Sequence, residues 1–342
     1  MGNLTIKDIA KMANVSPTLV SFVINNKPGV SKESRKKIMD IIESTDFKPN
    51  IHFRRLTMKR SFNICLVIQK TLSPFNDFFC FELSQELLEQ SEKNGYNIIL
   101  ATAEENSKNK YIYELIDRGE TDGIIFYRRA NASILEKVAE KQLPAVLIDM
   151  YNTSPEFLRV NADYYQGAAF ATKYLIDCGH REIALLSSSY DPEFNTQIFS
   201  GFCETMEQNE LSAPLNWLQI NCDSEELAYL SMKKILESNR IPTAVVCAAD
   251  MFAINAIRCV NDFGLSVPGD ISFIGIDDLV LSKYVYPPLT TLKIDKRMIA
   301  EKAMDMILKK IDHQEVENEV EDAIIPINTV IERGTVKPLL KP

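Results

Sequence analysis

The chain has 342 residues, 46% of them hydrophobic and 25% charged, with a formal net charge of −9. The length exceeds one small domain and the composition is that of a globular protein. No run of 18 apolar residues occurs and no signal-type apolar stretch opens the chain, which argues against a membrane span or export and for a cytoplasmic protein. Seven cysteines (65, 80, 178, 203, 222, 247, 259) are scattered with no C-x-x-C pair, and three histidines (52, 180, 313) form no cluster. They read as reduced core residues and not as a disulfide framework or metal site, and no cofactor is expected.

Charge is unevenly placed. Residues 1–60 hold twelve Lys and Arg against five Asp and Glu, a net of +7, so the remaining 282 residues carry −16. A basic head on an acidic body attracts phosphate without general stickiness. In the head, Thr5 precedes an apolar face of Ile6, Ile9, Ala10 and Ala13, with Asp8 at the capping-box position. Asn14 suits a turn that needs left-handed backbone. Ser16 caps a second helix with Pro17 at its first position. Its inner side is Val20, Val23 and Ile24, leaving Pro17, Thr18, Ser21, Phe22 and Asn25 outward. After Pro28-Gly29, Ser31 caps a third helix with Ile38, Ile41 and Ile42 as core. Two short helices across a tight turn, in a basic segment, form a helix-turn-helix that reads double-stranded DNA.

The body alternates strand and helix. Apolar strands are predicted over Asn63–Gln69, Asn97–Ala101, Gly123–Tyr127 and Ala145–Asp149, then over Ile183–Ser187, Trp217–Asn221, Ala244–Ala248 and Ser272–Ile276. Amphipathic helices between them include Phe81–Asn94, Lys108–Arg118, Gln166–Asp177, Glu225–Ser238 and Phe252–Phe263. Two such series predict an α/β body of two parallel-sheet, Rossmann-like lobes behind a small all-α head. No G-x-S-x-G, no Ser/His/Asp set and no Gly-rich phosphate loop is present, so an enzyme is not expected.

Several short motifs stand out along the chain. They are Ile6-Lys7-Asp8-Ile9-Ala10, Val15-Ser16-Pro17, Val20-Ser21, Val30-Ser31 and Phe47-Lys48-Pro49-Asn50 in the head. The body carries Ser73-Pro74-Phe75, Asn94-Gly95-Tyr96, Asp122-Gly123-Ile124-Ile125 and Gly179-His180-Arg181. Further on come Val267-Pro268-Gly269-Asp270, Gly275-Ile276-Asp277-Asp278 and Pro287-Pro288-Leu289-Thr290-Thr291. Nearly end to end, the chain resembles a LacI/GalR-type transcriptional regulator, whose body has the type I periplasmic-binding-protein fold. The resemblance implies domains at 1–48 (head), 49–60 (hinge) and 61–342 (effector-binding and dimerisation). It also implies an N-lobe of about 61–160 and 291–320 and a C-lobe of about 161–290 and 321–342.

The same resemblance makes Asn50–Lys59 a hinge helix that folds on operator DNA, two copies pushing a leucine, here Leu56, between central base pairs. Arg54 and Arg55 suit the negative minor groove, and a plain basic linker is the competing reading. The expected DNA set is therefore Thr5, Ser16, Pro17, Thr18, Ser21, Phe22, Asn25, Ser31, Asn50, Arg54, Arg55 and Leu56. Leu19, Phe22 and Phe53 depart from the family pattern and leave the operator sequence open.

For the effector, Asp149, Asp250 and Asp277 end strands and match positions where relatives hold acids. Each is a hydroxyl acceptor or a helix N-cap. Phe75, with Phe78 and Phe79, is a stacking surface or plain core. Arg128, followed by Arg129, is an anion clamp or a surface pair. Ile198 stands where sugar-binding relatives carry an arginine, and Ala249 and Tyr164 replace usual asparagines. The reading is a homodimeric repressor on a pseudo-palindromic operator, controlled by a sugar, sugar derivative or anionic metabolite between the lobes. A vestigial cleft answering to a protein partner is the alternative, ahead of a solute-binding protein or enzyme.

Overall fold

The computed structural model describes residues 4–24, 29–45, 47, 58, 60–70, 77–104, 109–151, 157–189, 192–312 and 321–339. They form two compact units, residues 1–62 with 119–122 and residues 63–118 with 123–342. In the first, α1 (Ile6–Ala13), α2 (Pro17–Ile24) and α3 (Lys32–Ser44) pack around Ile9, Ala10, Ala13, Val20, Val23, Ile38 and Phe47. The Thr5 N–H donates to Asp8 at 2.9 Å, closing the start of α1, and Asn14 ends it at φ 55°. Ser16 Oγ accepts the Leu19 N–H and Ser31 Oγ the Ser34 N–H, both at 3.1 Å, so the predicted caps form. Asp122 accepts the N–H groups of Ser61 and Phe62 at 2.7 and 2.8 Å.

The second unit contains two six-stranded sheets. The first joins β1 (Asn63–Gln69), β2 (Asn97–Ala103), β3 (Gly123–Tyr127), β4 (Ala145–Ile148), β5 (Leu158–Ala162) and β11 (Ala323–Ile325) in the order β11-β5-β4-β3-β1-β2. All its ladders are parallel. Its helices are α4 (Phe78–Lys93), α5 (Lys110–Asp117), α6 (Ala132–Glu140) and α11 (Lys296–Ile311). Strands covered on both faces must be apolar throughout, and every residue of β3 and β4 is buried.

The second sheet joins β6 (Ile183–Leu186), β7 (Leu218–Gln219), β8 (Ala244–Cys247), β9 (Ser272–Asp277), β10 (Thr290–Lys293) and β12 (Val330–Ile331) in the order β12-β10-β9-β8-β6-β7. Only β12 runs antiparallel, against β10. Helices α7 (Tyr164–Asp177) and α8 (Pro192–Gln208) pair with each other, as do α9 (Glu225–Leu236) and α10 (Asp250–Asp262). A Cβ on Gly201 would lie 2.3 Å from the Tyr165 carbonyl oxygen, so only glycine lets α7 and α8 approach this closely.

Two expectations need correction. The strand predicted at Trp217–Asn221 shrinks to two residues after a 3-10 turn, Leu215–Trp217, because Trp217 is drawn into the core and donates Nε1–H to the Arg240 carbonyl at 3.2 Å. The lobe boundaries also move. β10 stays in the second sheet through Lys293, and β11 adds to the first sheet beside β5, so the third crossing falls between Ile325 and Val330. An edge strand of three residues carries too little pattern to place from sequence.

The C-terminal segment is stapled to the second sheet. Thr335 accepts and donates bonds with Phe273, and buried His180 meets Thr243 Oγ1 at 3.0 Å and the Lys337 carbonyl at 3.2 Å. The carbonyl can only accept, so Nε2 carries a proton toward it, while the Thr243 hydroxyl is shared between Nδ1 and the Glu182 carbonyl at 3.2 Å. Burial holds the His180 pKa below the usual 6.5. The unfolded chain then binds the extra proton first, so this contribution is full above about 6.5 and is lost as pH falls through the lower folded value. Urea midpoints measured from pH 7.5 to 5 are expected to fall more steeply for wild type than for His180→Gln. Parallel curves would remove His180 from the acid response.

Candidate functional site

The first candidate surface is the head. Thr5, Ser16, Pro17, Thr18 and Ser31 are exposed, and Ser21 and Phe22 are half-buried. Pro17 and Thr18 open α2, and the opening turn of a recognition helix is the part that reaches base edges. Asn25, Asn50, Arg54, Arg55 and Leu56 lie outside the described residues.

The second candidate is a cavity of about 250 Å³ between the two sheets of the body. Its lining comes from strand ends and the helix starts that follow them, as open parallel sheets require. From the first lobe come Asp77, Phe78, Phe79, Arg128, Asp149 and Tyr151. The second supplies Tyr164, Ser188, Phe194, Asp223, Glu225, Phe252 and Asp277 among others. Four residues at these strand ends have left-handed backbone: Arg128 (φ 59°), Asp149 (51°), Asp277 (144°) and Asp278 (50°). Such conformations persist where surrounding structure over-determines them, and they cluster at binding sites.

Each side chain is fixed differently. Arg128 lies 3.5 Å from the Asp77 carboxylate and over the rings of Tyr127 and Phe79, with centroids at 5.1 and 5.8 Å. Asp149 accepts the Ala162 N–H at 3.0 Å and the Tyr164 hydroxyl at 2.9 Å. Burial, then the charge of Asp149, pushes the Tyr164 phenol well up, keeping it a donor. Asp277 is 5% exposed, and its Oδ2 accepts the Asp250 N–H at 3.2 Å, leaving Oδ1 uncommitted among the described residues. Burial first, and the neighbouring Asp250 second, push its pKa well above the ordinary carboxylate range.

Of the predicted effector residues, Arg128, Asp149 and Asp277 line the cavity, and so do Phe78 and Phe79. Phe75 lies outside the described residues. Asp250 is fully buried: its Oδ2 accepts from Leu279 N–H at 2.9 Å and Ser282 Oγ, and its Oδ1 from Thr291 Oγ1. It ties α10 to β10 and to the segment after β9, and it does not line the cavity. Ile198 is fully buried in α8 and is core. Asp77, Phe194, Asp223 and Phe252 are lining residues that the sequence reading does not name. Asp223 was findable, since it stands just before Ser224, the N-cap of a helix that follows a short strand. Phe194 and Phe252 sit in first helical turns and carry no sequence sign beyond that.

Among the described residues no three His, Cys, Asp or Glu side chains gather as a metal site, and no helix is long and apolar enough to cross a membrane. Burial pushes the Cys65 and Cys80 thiols up to about 12, far from nucleophile chemistry.

A helix-turn-helix head joined to a two-lobed body with a lined cavity defines a ligand-binding DNA regulator. Residues 5–50 match bacterial regulatory proteins of the lacI family, and residues 172–336 match the periplasmic binding protein-like domain. The chain is 30% identical over 323 residues to the HTH-type transcriptional repressor PurR of Histophilus somni (strain 129Pt), covering 92% of this chain and 95% of that one. Two solved structures share the fold. The transcriptional regulator CelR–cellobiose complex has a TM-score of 0.73 at 20% identity, over 97% of this chain and 100% of that chain. The lac repressor dimer bound to operator and the anti-inducer ONPF has a TM-score of 0.72 at 22% identity, over 98% of this chain and 100% of that chain. The chain belongs to the LacI family of bacterial regulatory proteins. It is a DNA-binding transcriptional repressor with a ligand-binding domain; its relatives are repressors, not enzymes.

Proposed function

We propose that this repressor acts as a homodimer on a pseudo-palindromic operator and that a small, uncharged or cationic, hydroxyl-rich molecule in the cleft sets its operator affinity. One recognition helix covers a half-site, so two copies are needed. Leu215, Tyr284 and Tyr286, 87%, 78% and 91% exposed, leave apolar surface that a second copy can cover.

The observation that carries the effector class is the charge of the lining. Asp77, Asp149, Asp223 and Glu225, beside the raised-pKa carboxyl of Asp277, stand against Arg128 as the one lining cation among the described residues, and Arg128 is engaged by Asp77. An acceptor-rich wall suits a ligand rich in O–H or N–H donors. The rings of Phe78, Phe79, Tyr151, Tyr164, Phe194 and Phe252 offer faces to its apolar side. An anionic metabolite would meet several carboxylates and no free lining cation, so the anionic reading loses its support. A formed, acid-lined cavity also weighs against a vestigial cleft.

Full-length protein screened by thermal shift is expected to be stabilised by members of a panel of neutral and amino sugars, such as D-ribose, cellobiose and glucosamine. The 5- or 6-phosphates of the same sugars should give none. Ligand at a hundredfold over Kd contributes about 2.7 kcal/mol, a rise of roughly 5–10 °C. Asp277→Asn should lose the shift. Stabilisation by a sugar phosphate but not its parent sugar would sink this reading.

A further inference from the structure

The two lobes are joined beside the cavity by a polar contact that the cavity lining does not include. Glu82, on α4 of the first lobe, accepts the Val280 N–H of the second lobe at 2.8 Å through Oε1. Its Oε2 lies 3.2 Å from Lys296 Nζ, and these side chains are 16% and 9% exposed. Lys296, the first residue of α11 in the first lobe, donates to the Asp277 carbonyl of the second at 2.7 Å. Its ammonium also stands 5.0 Å from the Phe79 ring centroid.

Local structure does not ask for a lysine there. The first turn of a helix is its positive end and disfavours a cation, and a buried ammonium needs partners to offset lost hydration. All its partners are tertiary: a carboxylate, a ring face and a carbonyl on the opposite lobe. That carbonyl belongs to Asp277, whose backbone has φ 144° and whose neighbour Asp278 is held by Arg333 and has φ 50°. The strained strand end carrying the cavity carboxyl is therefore pinned from the first lobe by Lys296 and from the second by Arg333.

We propose that Glu82 and Lys296 form a clasp that couples lobe closure to the cleft, acting as positioning residues for Asp277. Opening the lobes withdraws Lys296 from the Asp277 carbonyl and Glu82 from the Val280 amide together. A ligand bonded to the Asp277 carboxyl then favours the clasped arrangement, and the clasp favours the ligand by the same factor. The inference rests on the cleft being the effector site, but its test needs no effector, so the two fail separately.

Val280 is half-exposed, and its amide reports the clasp through hydrogen exchange in the full-length protein. Lys296→Met, which touches neither Val280 nor its acceptor atom, is expected to speed exchange at Val280 about tenfold. Glu82→Gln, which keeps an acceptor but loses the ion pair, should speed it several-fold. The double variant should exchange no faster than the faster single one, because both act through one device. The Val246 amide in β8 serves as the fold control and should stay protected. Val280 exchange at the wild-type rate in Glu82→Gln, or effects that simply multiply in the double variant, would overturn the clasp. Should Lys296→Met also expose Val246, the near-isosteric Glu82→Gln decides alone.

Discussion

Asp250→Ala is expected to be the most destabilising single change in the body, lowering its unfolding midpoint by about 10 °C. The carboxylate is fully buried and accepts from the Leu279 N–H, the Ser282 hydroxyl and the Thr291 hydroxyl. Burial raises its pKa, while the Ser282 and Thr291 hydrogen bonds oppose that shift. Removing it strands three buried donors and opens a void, together about 3–5 kcal/mol. At 2–4 °C per kcal/mol for a domain of this size, the shift is roughly 6–20 °C. Gly275 shows how closely the site is built, since a Cβ there would lie 2.2 Å from Asp250 Oδ1. Differential scanning calorimetry of the full chain checks this. A midpoint within 2 °C or so of wild type would show that Asp250 does not organise the lobe, and would return it to the list of residues whose only cost is lost ligand.

Leu56→Ala is expected to weaken specific operator binding by about 30- to 100-fold while changing non-specific binding by less than about threefold. Leu56 lies outside the described residues, and its wedge role is the one the family resemblance implies. Inserting an apolar side chain between base pairs trades a few kcal/mol of unstacking for a bent duplex with more contact area. Losing about 2–2.7 kcal/mol of that net gain gives the stated ratio. The gain exists only where the central step deforms easily, so random DNA should hardly notice the change. Titration at one fixed salt, against an operator selected from a random pool with wild-type protein and against a scrambled duplex, measures both arms. Equal losses on the two duplexes would make residues 49–60 a basic linker.

What the sequence determined by itself is local or repetitive. Thr5 with Asp8, Asn14, Ser16-Pro17 and Ser31 specify caps and a turn, because hydrogen bonds over three residues and φ preferences need no distant partner. β1 and β3 were legible to the residue, since strands buried on both faces must be continuously apolar. The charge division between head and body was legible too, being a property of composition. Arg128, Asp149 and Asp277 could be placed at the cleft because strand ends are where an open parallel sheet presents side chains. Tertiary structure alone decided the rest. Asp250 and Asp277 read alike in sequence, yet donors from residues 279–291 enclose one while the other keeps an oxygen uncommitted at the cavity. The short β11 and β12 exist only by pairing with β5 and β10, far away in the chain. Lys296 opposes its own helix and is explained only by Glu82, Phe79 and Asp277, brought to it from two other elements. Non-local hydrogen bonding and burial fix these choices, and no window of sequence contains both partners.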